Sequence, residues 1–214
     1  MTTVTVIDYG VGNLLSVARA LSQIGATPVV TDDLNLIASA QHLVLPGVGA
    51  FAHGMQGLSK RGMDKLAIAH AQAGKPLLGI CLGMQMLLDE SGEFGVHAGL
   101  GLISGKVSAI PNTDAQGKPH RIPHIGWNAL RPPQGRDWRG TLLESTPDGA
   151  CVYFVHSFAA NPSHAADNLA EVDYNGLKIC AAVQRDNVMG CQFHPEKSGD
   201  VGLSILKRFT ELSQ

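Results

Sequence analysis

A cysteine between two glycines is the first feature of this sequence whose residue types and spacing suit chemistry. Cys81 stands in the run GICLG, directly after an apolar stretch, with Gly79 and Gly83 two residues to either side. This is the spacing of the G-x-S-x-G nucleophile turn, with a thiol in place of the hydroxyl. A thiol at the start of the following helix meets the positive end of the helix dipole, which favours the thiolate. Taken alone, the motif is equally compatible with a small buried core cysteine.

A histidine followed by proline and glutamate is the second feature, because a thiolate nucleophile for acyl transfer needs an oriented imidazole. His194 ends an apolar run in GCQFHPEKSG, and Glu196 follows two residues later. Pro195 biases His194 toward an extended backbone, in which residues two apart face the same side. An isolated HPE run is more typical of a solvated turn. Together with the glycine-flanked cysteine, it predicts a Cys81-His194-Glu196 triad.

A glycine-rich turn after another apolar run is the third feature, in LVLPGVGAF. The sequence predicts that backbone N–H groups of Gly47, Val48 or Gly49, with that of Leu82 after the nucleophile, hold a developing oxyanion. A phosphate cradle is the alternative interpretation, but the Gly-Lys-Ser/Thr ending of a P-loop is missing. The run GVGN after the first apolar stretch likewise lacks the third glycine of a dinucleotide fingerprint, so it is a weak nucleotide signal.

Short apolar runs alternate with amphipathic stretches in the first half of the chain, which predicts parallel strands covered by helices on both faces. The second half has closely spaced strand-like runs, which predict antiparallel additions. The fold class is therefore α/β: a single domain over residues 1–214 with a mixed, mostly parallel central sheet. The predicted strands are TVTVID, TPVVT, HLVLP, KPLLGI, GKVSAI, HIGWNAL, ACVYFVHSF, NLAEVDY, KICAAVQ and VMGCQFH, and the predicted helices are residues 13–24, 61–73, LGMQMLLDE and 201–212.

Composition excludes several classes of protein. The 214 residues are 44% hydrophobic and 16% charged, which suits a globular protein rather than a disordered one. A formal net charge of -2 provides no basic surface for nucleic acid, and no apolar run approaches a membrane span. The N-terminus is typical of a first strand rather than a signal peptide, so we expect a cytoplasmic protein that binds neither nucleic acid nor a membrane.

The four cysteines contain no C-x-x-C pair, which argues against a disulfide scaffold and against a ready-made metal site. Neither a metal nor a cofactor is predicted. Three cysteines lie in apolar strand runs without the pair of glycines that flanks Cys81 and are expected to be core residues: Cys151, Cys180 and Cys191.

At this point the residues resemble a known family, the class I, triad-type glutamine amidotransferases. The runs GICLGMQ and HPE carry the resemblance, and PGVG is similar to that family's oxyanion strand. The family's fold is flavodoxin-like, and its activity is hydrolysis of L-glutamine to glutamate and ammonia. The resemblance implies substrate-binding roles for Gln85, Glu93 and the backbone of Ser157.

A subfamily resemblance follows from PHIGWN, YFVHS and DYGVGN, which are similar to glutaminase subunits of imidazole glycerol phosphate synthase, in histidine biosynthesis. It implies a heterodimer with a (β/α)₈-barrel cyclase, which uses the ammonia to make imidazole glycerol phosphate and an aminoimidazole carboxamide ribotide. Phe158 departs from the tyrosine that such chains often carry. Trp127 is either a core residue or an interface anchor; the resemblance favours the interface, with Asn13, Asn128 and Lys197.

Other functions stay open from the sequence alone. A glutaminase subunit for pyridoxal phosphate or anthranilate synthesis keeps the chemistry and changes the acceptor, although PHIGWN argues against both. A cysteine peptidase or thioesterase could use the same turn, and a non-enzymatic binding module would need no nucleophile. Because free ammonia would be protonated in water, we expect low glutaminase activity in the isolated chain and strong activation by a partner, with one peptide of the oxyanion turn as the switch.

Overall fold

The chain folds around a central sheet, in a computed structural model that describes residues 1–212. The predicted domain of residues 1–214 therefore ends two residues outside the described part. In chain order, the strands and helices are β1 Thr3–Ile7, α1 Leu14–Gln23, β2 Thr27–Thr31, α2 Leu34–Ser39, β3 His42–Gly47, α3 Phe51–Lys60, α4 Met63–Gln72, β4 Leu77–Cys81, α5 Leu82–Met86, β5 Leu88–Ser91, β6 His97–Ala98, β7 Ile103–Ala109, β8 His124–Ala129, β9 Cys151–His156, β10 Phe158–Pro162, β11 Asn168–Tyr174, β12 Leu177–Arg185, β13 Val188–Cys191 and α6 Gly199–Glu211.

The central sheet has the strand order β11-β12-β13-β4-β3-β1-β2. Its strands from β13 to β2 are parallel, and β12 and β11 are added antiparallel at one edge. The order β2-β1-β3-β4-β13 is the flavodoxin-like arrangement, which places ligand sites outside the carboxyl ends of the strands. The predicted α/β class with a mostly parallel sheet is confirmed.

Two hydrophobic cores lie on opposite faces of this sheet, because successive strand residues point to opposite sides. On β3, Val44 joins the core under α1 and α6, whereas Leu43 and Leu45 join the core under α2 to α5. Both faces are thus covered, as near-continuous apolar strands require. Within residues 1–212, no helix is long and apolar enough to cross a membrane.

The later strands do not all join the central sheet. A second sheet has the order β10-β7-β5-β6, and β8 pairs with β9 in a separate antiparallel ribbon. The predicted strand ACVYFVHSF is divided between β9 and β10. The sequence therefore predicted the antiparallel additions but not their distribution over three sheets.

Two helix predictions had wrong bounds, and two helices were missed. The helix predicted for LGMQMLLDE ends at Met86, because residues 88–91 form β5, which pairs with β7 and β6. The helix predicted over residues 61–73 begins only at Met63, after Gly62 in the left-handed region at φ 72°. Helices α2 and α3 were missed; α3 contains Gly54, which lowers helix propensity but lets Leu82 and Met86 approach.

The turn from β4 into α5 depends on two glycines. A Cβ on Gly83 would overlap the backbone carbonyl of Leu45 on β3, and one on Gly79 would lie 2.6 Å from the Met84 nitrogen. The two glycines therefore permit the close helix–strand packing at the nucleophile turn. The helix that starts after Cys81 is therefore pressed directly onto the sheet.

Replacing Gly83 with alanine should destabilise the fold by about 3 kcal/mol or more, because α5 must move away from β3. For a chain of this size the melting temperature should fall by roughly 6–12 °C, measured by thermal unfolding. Gly92→Ala is the matched control, since its Cβ would meet only the Val107 carbonyl at an ordinary 3.7 Å. Equal melting temperatures for the two variants would contradict this account.

Candidate active site

Cys81 occupies the sharp turn between β4 and α5 with a backbone that few side chains adopt. Its φ is 56° and its ψ is -110°, and it precedes the first residue of α5. A non-glycine residue in this region costs on the order of 1–3 kcal/mol, which the packed glycines around it must hold in place. The turn places Cys81 at the wall of a cavity, although the residue itself is only 7% exposed.

His194 and Glu196 lie beside this thiol. The Nδ1 atom of His194 is 2.8 Å from Oε1 of Glu196, and both side chains are almost fully buried. His194 also interacts with the Cys81 side chain, and both residues line the same cavity. The structure therefore brings the three predicted triad residues together in the order thiol, imidazole, carboxylate.

The route by which Glu196 reaches His194 differs from the prediction. His194 is extended, with φ -100° and ψ 96°, as the following proline favours. Residues Pro195–Lys197, however, form a 3₁₀ turn rather than extended chain. The argument that residues two apart share one face of an extended strand was wrong; the tight turn brings the carboxylate back to the ring instead.

The electrostatics of this pair favour a protonated imidazole. Burial lowers the pKa of His194, but the hydrogen bonds to Cys81 and Glu196 outweigh burial and raise that pKa to about 9. Near neutral pH, His194 is therefore an imidazolium beside the Cys81 sulfur. Such an arrangement suits a thiolate nucleophile with a proton donor at hand.

Backbone contacts hold His194 in position. Its N–H donates to the Tyr153 carbonyl on β9 at 3.0 Å. The hydroxyl of Ser198 donates to the His194 carbonyl at 2.6 Å and accepts from the Tyr153 N–H at 3.0 Å. Tyr153 pairs directly with Trp127 across the β8–β9 ribbon. Backbone hydrogen bonds therefore connect His194 to the β8–β9 ribbon, which contains the predicted interface residue Trp127.

The thiol opens into a cavity of about 400 Å³ at the carboxyl ends of the strands. The predicted oxyanion turn lies there because Gly47 on β3 is the register partner of Cys81 on β4. The cavity contains most of the residues predicted for catalysis, the oxyanion turn and substrate binding. Its lining residues are Val48, Gly49, Cys81, Leu82, Gln85, Glu93, Phe94, Pro123, Val155, His156, Ser157, Phe158 and His194.

Tyr9 fixes the start of the oxyanion turn and was not predicted from the sequence. Its hydroxyl donates to the Pro46 carbonyl at 2.8 Å, and the residue is buried. Burial raises the pKa of Tyr9 well above its usual value, and electrostatic interaction with Cys81 raises it further. The hydroxyl therefore stays protonated and remains a donor. The run DYGVGN had drawn attention through its glycines, whereas the tyrosine makes the contact.

The three predicted substrate-binding residues all line the cavity but have further contacts. Both N–H groups of the Gln85 amide are used, on the Phe158 carbonyl and on Oε1 of Gln192, each at 3.0 Å. This leaves the Gln85 carbonyl oxygen to face a ligand. Glu93 accepts from the Phe51 N–H at the start of α3 at 2.6 Å, and the Ser157 carbonyl accepts from the Ile110 N–H.

A line of buried polar groups behind the cavity was missed by sequence reasoning. His124 hydrogen-bonds His156, whose Nδ1 donates to the Phe158 carbonyl. The Gln85 amide donates to the same carbonyl and to Gln192. Gln192 Nε2 then lies 3.8 Å from the Cys81 sulfur. The only sequence signal was a glutamine inside the apolar run VMGCQFH. Phe158 contributes here through its backbone, so phenylalanine serves this contact as well as tyrosine would.

The predicted interface residues differ in exposure. Trp127 is 58% exposed on the β8–β9 ribbon, next to the exposed Ile125, so its interpretation as a core residue was wrong. Lys197 is exposed, and Asn13 precedes α1 without a side-chain cap bond. Asn128 instead uses its amide within the chain, on the Asp173 carbonyl and its neighbour's N–H.

One prediction about the remaining cysteines was also wrong. Cys180 and Cys191 are buried, and burial raises the pKa of the Cys180 thiol to about 12. Cys151 is exposed at the first residue of β9, where the strand has not yet entered the core. An apolar run therefore located the strand correctly but not the burial of its first residue.

Comparison with known proteins gives consistent matches over the full chain. The family model described as glutamine amidotransferase class-I matches residues 5–212. The chain is 51% identical over 213 residues to imidazole glycerol phosphate synthase subunit HisH 1 of Legionella pneumophila (strain Lens), covering 99% of this chain and 100% of that protein. It is 45% identical to the HisH subunit of Syntrophotalea carbinolica, covering 98% and 100%.

Solved structures support the same fold. A crystal structure of a glutamine amidotransferase superposes with a TM-score of 0.72 at 16% identity, covering 97% of this chain and 99% of that chain. The PurLQS structure from Thermotoga maritima gives a TM-score of 0.69 at 21% identity, covering 99% of both. At such identities the likeness concerns the fold alone, whereas the family match and the HisH identities extend along the whole sequence. The chain belongs to the class-I glutamine amidotransferase family.

Proposed function

We propose that this chain is a glutaminase that hydrolyses L-glutamine to glutamate and ammonia, with Cys81 as nucleophile, His194 as acid and base, and Glu196 as its anchor. The observation that carries the proposal is the placement of Cys81 and His194 at the wall of one cavity, with Nδ1 of His194 2.8 Å from Oε1 of Glu196. We also propose that residues 1–214 form one domain, without a metal or cofactor in the reaction.

The reaction proceeds in two halves. The Cys81 thiolate attacks the side-chain amide carbon of glutamine, and the His194 imidazolium gives its proton to the departing ammonia, leaving a thioester. Water then attacks the thioester while His194 takes its proton. Glutamate leaves, and the thiolate–imidazolium pair is restored. Glu196 keeps the imidazole in one orientation through both halves.

The oxyanion formed in each half needs donors outside the triad. We assign them to the N–H of Leu82 and to an N–H of the turn at Gly47, Val48 and Gly49. The first N–H groups of α5 have no partner within the helix, and the turn lies beside Cys81 through the β3–β4 register. Each such donor is worth roughly 10² to 10³ in rate. Tyr9 supports this assignment by fixing the Pro46 carbonyl.

Recognition of glutamine falls to groups on the remaining cavity walls. The free carbonyl oxygen of Gln85 is placed to accept from the substrate, and the Glu93 carboxylate provides a counter-ion for its α-ammonium group. Glu93 keeps one oxygen on the α3 N–H, so it is held in a fixed position rather than free to rotate. Ser157 contributes backbone groups at the same wall.

We propose further that the ammonia passes to a (β/α)₈-barrel cyclase subunit in a heterodimer, as in imidazole glycerol phosphate synthase of histidine biosynthesis. The HisH relatives support this subfamily, since their names describe subunits of that synthase. The exposed pair Ile125 and Trp127 on the β8–β9 ribbon suits the apolar centre of an interface, with Asn13, Asn128 and Lys197 around it. Pyridoxal phosphate and anthranilate synthesis are less well supported, because full-length HisH identity accompanies the PHIGWN run.

Replacing Cys81 with alanine should reduce glutamine hydrolysis at least about 10⁴-fold, because no other group can form the thioester. Glutamate release, measured with the cyclase present, gives the rate. Cys151→Ala is the matched control, since that thiol is exposed and absent from the cavity lining. Retained hydrolysis in Cys81→Ala would exclude the thioester mechanism.

Glu196→Gln should flatten the pH dependence of stability. The folded pKa of His194, about 9, exceeds the unfolded value of 6.5, so its contribution is fully present below pH 6.5 and is lost as pH rises through 9. The free energy of unfolding of the wild type should therefore fall between these pH values by roughly 1–3 kcal/mol more than that of Glu196→Gln. Urea unfolding at both pH values measures this. The exposed Glu90→Gln should behave as wild type.

Trp127→Ala should weaken cyclase binding at least about tenfold, because a central aromatic anchor is lost. Titration calorimetry measures the affinity. Leu36→Ala is the control: Leu36 is also exposed but lies beside Thr3 and His42, where β1 and β3 begin.

Glutamate release should be low in the isolated chain and should rise when the cyclase and its nucleotide ligand are added. Full activity of the isolated chain, unchanged by the cyclase, would contradict the proposed coupling.

A further inference from the structure

Gln192 is a fully buried amide in contact with the nucleophile, and the proposed reaction has not used it. Its exposed fraction is 0%, and its chain neighbours Cys191 and Phe193 are equally buried. Its Nε2 atom lies 3.8 Å from the Cys81 sulfur, within the range of a hydrogen bond to sulfur. A buried amide is costly unless its groups are paired, so its partners indicate what it does.

The contacts of Gln85 determine which end of the Gln192 amide faces Cys81. The Phe158 carbonyl can only accept, so the Gln85 group that meets it must be the NH₂ group. The same nitrogen contacts Gln192, which must therefore present its own oxygen there. A rotated Gln192 amide would place two donors against each other. The NH₂ group of Gln192 is consequently the end that faces Cys81.

His156 contacts the same Phe158 carbonyl, and this contact determines its tautomer. Its Nδ1 donates to the Phe158 carbonyl at 2.8 Å, so its Nε2 is the acceptor of a neutral ring, at 3.0 Å from Nδ1 of His124. Burial lowers the pKa of both imidazoles to about 4, which keeps the two rings neutral at physiological pH. The tautomers and amide orientations from β8 to Cys81 are therefore mutually fixed.

We propose that Gln192 is a positioning residue for the nucleophile: its N–H, oriented by Gln85, hydrogen-bonds the Cys81 sulfur and stabilises the thiolate before glutamine binds. The inference rests on the proposed function only in taking Cys81 as the nucleophile. An amide can neither accept nor release a proton at neutral pH, so it stabilises the sulfur without competing with His194. A donor of this kind is needed because Cys81 is itself largely buried.

The test is the pH dependence of Cys81 alkylation by iodoacetamide, followed by mass spectrometry of the Cys81 peptide. The titratable groups around the thiol are His194, Glu196, Tyr9, Glu93 and His156, and replacing Gln192 removes none of them. Methionine matches the length of glutamine without its N–H groups. In Gln192→Met, the pH midpoint for Cys81 should rise by about one unit, which makes alkylation about tenfold slower at pH values well below the wild-type midpoint, with an unchanged plateau at high pH.

Two controls accompany this measurement. The exposed Cys151 of the same molecule should keep its own alkylation profile in every variant. Gln184→Met is the matched substitution, because Gln184 is a partly buried glutamine on β12 whose bonds go to the Leu142 N–H and the Asp186 carbonyl. It should leave the Cys81 midpoint at the wild-type value.

A wild-type Cys81 midpoint in folded Gln192→Met overturns the proposal, even if glutaminase activity falls, because the role would then be structural. An equal shift in Gln184→Met overturns it as well. Should Gln192→Met fail to fold, Gln192→Asn takes its place: it keeps an amide but is one methylene too short, and the same shift is expected. Alkylation needs no glutamine, so the two proposals can fail separately. A shifted midpoint in Gln192→Met, together with a wild-type protein that lacks glutaminase activity, would refute the proposed function and leave the stabilisation of the Cys81 thiolate by Gln192 standing.

Discussion

The backbone at Cys81 is held in the left-handed region by the close packing of α5 against β4 and β3, and the other parts of the site are placed relative to that turn. Gly79 and Gly83 allow the approach, since a side chain at either would meet backbone atoms. The register of β3 and β4 then sets Gly47 opposite Cys81, which brings the oxyanion turn to the thiol. Strain at one residue is tolerated because many buried contacts fix its surroundings.

Around this turn, the protein separates charged from neutral polar groups. The charged pair, His194 and Glu196, lies on the segment after β13, where a 3₁₀ turn and the Tyr153 backbone hold it. The other buried groups near the thiol, the imidazole of His156 and the amides of Gln85 and Gln192, are neutral. Because neutral groups cannot take the proton that His194 must move, they orient the cavity wall without disturbing the proton transfer.

Local patterns predicted those parts of the fold that depend on neighbours in sequence. The parallel strands of the first half are continuous apolar runs, and β11 was predicted with its observed bounds. Helix α5 was predicted too long, because the residues after Met86 pair with β7, about fifteen residues farther along the chain. Helix α3 was missed because its glycine serves packing against Leu82, and its first N–H is capped by Glu93 from 42 residues away.

The sequence by itself determined the nucleophile turn, the HPE run and the glycine turn, because each is a local arrangement in which spacing sets geometry. It also supplied the family resemblance, since the motifs occur in one order along the chain. Only the tertiary structure decided how Glu196 reaches His194 and that Gln192 contacts the thiol. It also decided that Trp127 and Cys151 are exposed. Those facts depend on strand register and on contacts between residues as far as 111 positions apart, which no local pattern encodes.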